Sequence, residues 1–84
     1  MEPRLSAVLL HVGGCAKRGY VVVLGSVVLG YVWLEGRFGR HYRWRMAVQV
    51  SPTIRRADAA TSRSRSDAAA MVAQRHGELR GRRG

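Results

Sequence analysis

GYVVVLGSVVLGYVWL, residues 19–34, is the stretch on which the fold turns. It holds no charged residue and admits two readings. A membrane-spanning helix needs about 20 apolar residues. Lys17-Arg18 before the run and Glu35, Arg37 and Arg40 after it oppose any extension, although Ser26 and Gly30 have the small-xxx-small spacing that suits helix packing in lipid. Its many valines and the glycines at 25 and 30 are poor in a soluble helix. The same letters divide into two buried strands, Tyr20–Leu24 and Val27–Leu34, joined by Gly25-Ser26. Short apolar runs are not assigned by periodicity alone. Strands are the expected reading, and a single transmembrane helix at 19–34 followed by a basic tail is the alternative.

Working outward, His41–Val50 alternates without a break. Tyr42, Trp44, Met46, Val48 and Val50 fall on one face, and His41, Arg43, Arg45, Ala47 and Gln49 on the other. Such alternation marks a half-buried strand with its first face in the core. Val32, Leu34 and Phe38 share one face of the strand before it, with a turn or bulge offered by Gly36, Gly39 and Arg40. Pro52 breaks the chain after it, and Ile54–Thr61 is expected to return as a weaker strand.

The chain then turns helical. Ser64-x-x-Asp67 has the form of a capping box, and Ala68, Met71, Val72, His76 and Leu79 make one stripe from Asp67 to Arg80. Arg75 lies inside that stripe, so either it snorkels at an edge or the helix packs loosely. Gly81 is a plausible stop, and 81–84 is expected to be a basic disordered tail. The expected fold class is α+β: a small antiparallel sheet of three to five strands packed against one C-terminal helix. It forms one domain over 1–80, with an apolar β-rich half (5–34) and a basic strand–strand–helix half (35–80).

Charge is divided just as unevenly. The 84 residues carry net +10, of which residues 35–84, with twelve arginines against Glu35, Asp58, Asp67 and Glu78, hold +8. A sequence pI near 11.6 implies attraction to polyanions, either nucleic acid or an anionic membrane surface. The arginine bias also has a compositional reading, a G+C-rich genome, and a bland one, in which exposed arginines keep a small apolar protein soluble. Lone Cys15 excludes an internal disulfide. Val12-Gly13-Gly14-Cys15 resembles a bacterial lipobox, but Glu2, His11 and Lys17-Arg18 depart from that pattern.

The order strand, turn, basic strand, weak strand, helix over residues 31–80, anchored on Gly36–Gly39, Trp44 and Ser66-Asp67-Ala68, resembles the amino-terminal arm-binding domain of phage tyrosine recombinases. That resemblance implies a three-stranded sheet on one helix, with the sheet entering the major groove of DNA.

The residues themselves supply a mechanism of the same kind. Arg43 and Arg45 would project from the strand's outer face, with Arg40 and His41 beside them and Arg55 and Arg56 across the turn. A two-stranded ribbon fits the major groove, where arginine bidentate to guanine is the commonest specific contact. Arg63 and Arg65 would meet phosphates near the helix start at Ser66. DNA is the expected partner ahead of RNA, without cofactor or metal, in a cytoplasmic protein. The alternatives are a small single-pass membrane protein with an arginine-rich cytoplasmic tail, and a protein-interaction protein that does not bind nucleic acid. An exposed edge strand would invite a homodimer. No enzyme is expected: the back-half carboxylates are scattered, and His11, His41 and His76 with one cysteine lack zinc-ligand spacing.

Overall fold

The computed structural model describes residues 2–37 and 40–81. Phe38, Gly39 and the tail from 82 onward lie outside the described residues, as do the side chains of Arg37, Arg40 and His41. The elements are β1 (Arg4–Val12), β2 (Cys15–Leu24), β3 (Val27–Arg37), β4 (Arg40–Gln49), β5 (Arg55–Ser62) and α1 (Arg65–Gly81). The strands form one antiparallel meander in the order β1-β2-β3-β4-β5, and α1 packs on one face, mainly over β3 and β4. The α+β class is as expected, with the strand count at the top of the expected range.

The transmembrane reading of 19–34 is overturned. Those residues lie in β2 and β3, and no helix among the described residues is long and apolar enough to cross a membrane. Gly25, with φ of 63°, takes the first central position of the Gly25-Ser26 turn, a backbone state open to glycine and matched to hairpin twist. The run shows no alternation because both faces of the sheet bury apolar groups. Val22, Val32, Leu29 and Met46 lie under Ala68, Ala69 and Val72 of α1. On the opposite face Leu10, Trp33 and Ala47 form a second buried cluster, flanked by Val8, Val12 and Tyr31.

Two glycines make this layering fit. A Cβ at Gly30 would collide with the carbonyl oxygen of Ala47 and come within 2.7 Å of Val72 Cγ1, so α1 seats directly over a hole in β3. At Gly19 a Cβ would lie 2.9 Å from Leu10 and 3.1 Å from Trp33 Cβ. Leu10 and Trp33 thus close over bare backbone, which is how apolar groups are buried on a face with no helix. Ala47, expected on the polar face of β4, is buried there for the same reason.

α1 begins as its sequence signals require. The Ser64 hydroxyl accepts the Asp67 N–H at 3.1 Å, while the Ser64 N–H turns instead to the buried Ser62 hydroxyl at 3.3 Å. Only half of the capping box is therefore formed. Ser64→Ala is expected to lower stability by about 1 kcal/mol, read as a shift in urea midpoint with unchanged slope. A shift indistinguishable from zero would mean that the helix start is held elsewhere. Arg75 snorkels, bridging Asp58 of β5 at 3.3 Å and Glu78 at 3.9 Å.

Tyr42 departs from expectation. Trp44 is half-buried and its ring lies 6.1 Å from that of Tyr20, but Tyr42 on the same side is 57% exposed. α1 starts alongside Tyr20, where the Arg65 guanidinium lies over the ring at 4.6 Å. Tyr42 lies beyond that start, with its ring over Gly36 instead of in the core.

Candidate nucleic-acid interface

Strand register decides which arginines share a face. Arg43 pairs with Glu35 and Arg45 with Trp33, so both project from the face opposite α1, as the alternation of β4 predicts. Gln49 pairs with Arg55, which puts Arg55 on that open face; Arg56, opposite Val48, falls on the helix side. Lys17, opposite Leu10, and Arg4, opposite Val23, also belong to the open face. Among the described strand side chains, this face therefore holds Arg4, Lys17, Arg43, Arg45 and Arg55 against one carboxylate, Glu35. Arg4 and Lys17 carry no signal at the level of local sequence, because only the pairing of β1 with β2 brings them here.

The eight residues expected to contact nucleic acid are not one patch. Arg43 and Arg55 are exposed on the open face, with the Arg55 guanidinium 4.3 Å above the Tyr31 ring. Arg45 is half-buried and reaches Glu35 at 3.5 Å, so it is oriented and partly neutralised before any ligand arrives. Arg56 lies in a cleft with Asp58, Arg75 and Glu78 on the helix side, and Arg65 covers Tyr20 there. Arg63 sits between β5 and α1, at the end of the sheet where Ser62 pairs with Trp44. The expected ribbon is thus split by the two-residue period of β5. Arg40 and His41 belong to β4 by backbone, but their side chains lie outside the described residues.

The open face has a further property. Its buried side-chain atoms Trp33 Nε1, Arg45 Nε and Gln49 Oε1 have no hydrogen-bond partner among the described residues. Each such group costs about 1–3 kcal/mol, and all three project from β3 and β4 beside the basic residues. Among the described residues no group of three or more His, Cys, Asp or Glu side chains could hold a metal ion.

On the other side, His76 lies near Gln49, Val50, Leu79 and Arg80. Burial, and then the charge of Arg80, hold its imidazole below the ordinary value. The unfolded chain therefore takes up the proton first. The stability contributed by neutral His76 is complete above about pH 6.5 and is lost as the pH falls through and below that value. The effect is small because His76 is half-buried and keeps part of its hydration. Urea midpoints near pH 7.5 and near pH 5.5 should differ less in His76→Gln than in the wild type; an equal difference would assign the acid sensitivity to other groups.

Comparison with protein-family models, curated proteins and solved structures finds no match to this chain.

Proposed function

We propose that the protein is a non-enzymatic nucleic-acid-binding module that contacts duplex DNA through the helix-free face of its sheet. The observation that carries this reading is the shared face of Arg43 and Arg45, extended by Arg55 and opposed, among the described residues, by a single carboxylate. At about 3.4 Å per residue, positions 43 to 49 of β4 span roughly 20 Å, enough to follow a groove. The major groove of B-DNA admits a β-ribbon, whereas the deep, narrow major groove of A-form RNA does not, which favours DNA. Trp33 is buried and Tyr31 half-buried on this face, and the Arg55 guanidinium rests over the Tyr31 ring. The order β3–β4–β5–α1 is also the order on which the likeness to integrase arm-binding domains rests. A cytoplasmic location goes with this reading.

The test is salt-titrated binding of the purified chain to duplex DNA, with duplex RNA and anionic vesicles as competitors. Binding that weakens log-linearly with salt, and that DNA competes away better than RNA or vesicles, is expected. No binding at low salt ends the reading, and preferential release by vesicles transfers the basic face to a lipid surface.

A further inference from the structure

The meander leaves two edges, β1 and β5, and they differ in kind. β5 is blunted in the ways that discourage edge pairing. Its register slips between Trp44 and Met46, the Asp58 carboxylate turns back onto the Ala60 N–H at 2.8 Å, and Arg55 and Arg56 begin it. β1 lacks the register slip and the side-chain turn, and its one arginine is the first residue, Arg4. It pairs with β2 over nine unbroken positions from Arg4↔Val23 to Val12↔Cys15, and Leu5–Leu10 contains no charge or proline. Leu9, which projects from the helix side of the sheet opposite Arg18, is 63% exposed, more than any other large apolar side chain among the described residues.

We propose that β1 is a dimerisation edge whose occupant is β1 of a second copy of this chain, paired antiparallel about a two-fold axis at Val8. Gly13 and Gly14, with φ of 58° and 81°, form a type I′ turn. That turn makes Val12 and Cys15 the hydrogen-bonded closing pair. By alternation Leu10, Val8 and Ser6 bond inward to β2, and Leu5, Ala7, Leu9 and His11 turn their N–H and C=O groups outward. A two-fold at Val8 sets Ala7 opposite Leu9 of the second copy and Leu5 opposite its His11, so every outward group meets an outward group. Arg4 falls opposite Val12 of the second copy and about 27 Å along the strand from its counterpart, which leaves no like charges directly opposed.

Charge across the whole molecule agrees with this choice. Residues 1–34 hold only +2 of the net +10, so β1 lies in the least repulsive part of the chain. The isologous contact closes on itself as a dimer and sets Ala7 of the second copy beside Leu9. The proposal is independent of the DNA-binding reading, because the basic residues of β4 and β5 are three and four strands away.

The experiment is sedimentation equilibrium at about 0.5 M salt, where charge repulsion is screened within a few ångström, without nucleic acid. The full chain is expected at twice its 9.3 kDa mass at tens to hundreds of micromolar. Ala7→Pro removes an outward N–H and no bond to β2, so its circular dichroism should match the wild type. Its association midpoint should rise at least about tenfold, equivalent to 1.4 kcal/mol. Leu9→Lys should do the same by a separate route, and it decides the matter if Ala7→Pro misfolds. A wild type that stays monomeric, a folded variant that dimerises undiminished, or open-ended association would each overturn the proposal.

Discussion

Gly30→Ala is expected to destabilise the protein by about 3 kcal/mol, and Gly30→Val to unfold most of it, while Gly77→Ala stabilises by up to about 1 kcal/mol. The same chemical change has opposite signs because the two glycines answer different needs. At Gly30 an added methyl would meet the Ala47 carbonyl of β4 from one side and Val72 of α1 from another. The first neighbour is backbone in a paired strand and cannot turn away. The second is fully buried in the centre of the helix contact. Relief requires lifting α1, which would uncover Val22, Val32 and Met46, each worth about 1.5–3 kcal/mol when buried. A domain of this length has roughly 4–13 kcal/mol of stability in total, so the valine variant leaves little. Gly77 lies in the same helix, and a methyl added there would have no neighbour within 4 Å; alanine only relieves the entropy cost of glycine. Urea titration of both variants checks the pair. A Gly30→Ala protein within 0.5 kcal/mol of wild type, roughly the size of a neutral surface change, would mean that α1 does not seat on β3 as described.

How far such features are visible in the residues themselves differs along the chain. β4 is legible because one of its faces is largely apolar and the other carries Arg43, Arg45 and Gln49, so burial is written as a period of two. Ser64 and the Ala68–Leu79 stripe announce α1 in the same local way. Residues 19–34 are ambiguous because Val22 and Val32 face α1 while Tyr31 and Trp33 face the second cluster; two-sided burial erases the alternation that would distinguish strand from helix. Gly13-Gly14 is the local signal for β1, since two glycines between apolar runs suit a type I′ hairpin, yet the cysteine beside them gives the same letters the form of a lipobox.

The candidate site divides along the same line. That Arg43 and Arg45 share a face follows from spacing alone. That Arg45 meets Glu35, that Lys17 joins the face and that Arg56 leaves it depend on register between strands, which turn lengths and bulges set. Tyr42 shows a third kind of gap. Its alternation with Trp44 is real, but the sequence does not show where along the sheet α1 begins to cover it.

Arg43→Ala/Arg45→Ala is expected to lower the salt slope of DNA binding by about two units and the affinity by at least about thirtyfold, or ~2 kcal/mol. The fold should survive. Arg43 is exposed, and the Arg45–Glu35 pair is open enough to solvent that losing it costs at most about 1 kcal/mol. A net charge of +10 attracts DNA from any direction, so loss of charge alone would weaken binding somewhat. Arg18→Ala/Arg56→Ala separates the two effects, because it removes the same charge from the helix side of the sheet. It should reduce affinity only a few-fold. Glu35→Gln tests the sign: it removes the one carboxylate of the open face among the described residues and releases Arg45, so binding should tighten. If the helix-side variant loses as much as the open-face variant, the attraction is a property of net charge and the β4 face has no part in it. If the three variants separate as expected, the face itself is the contact surface. Replacing Arg45 by Lys then asks whether the contact is bidentate, since lysine keeps the charge but loses the planar fork.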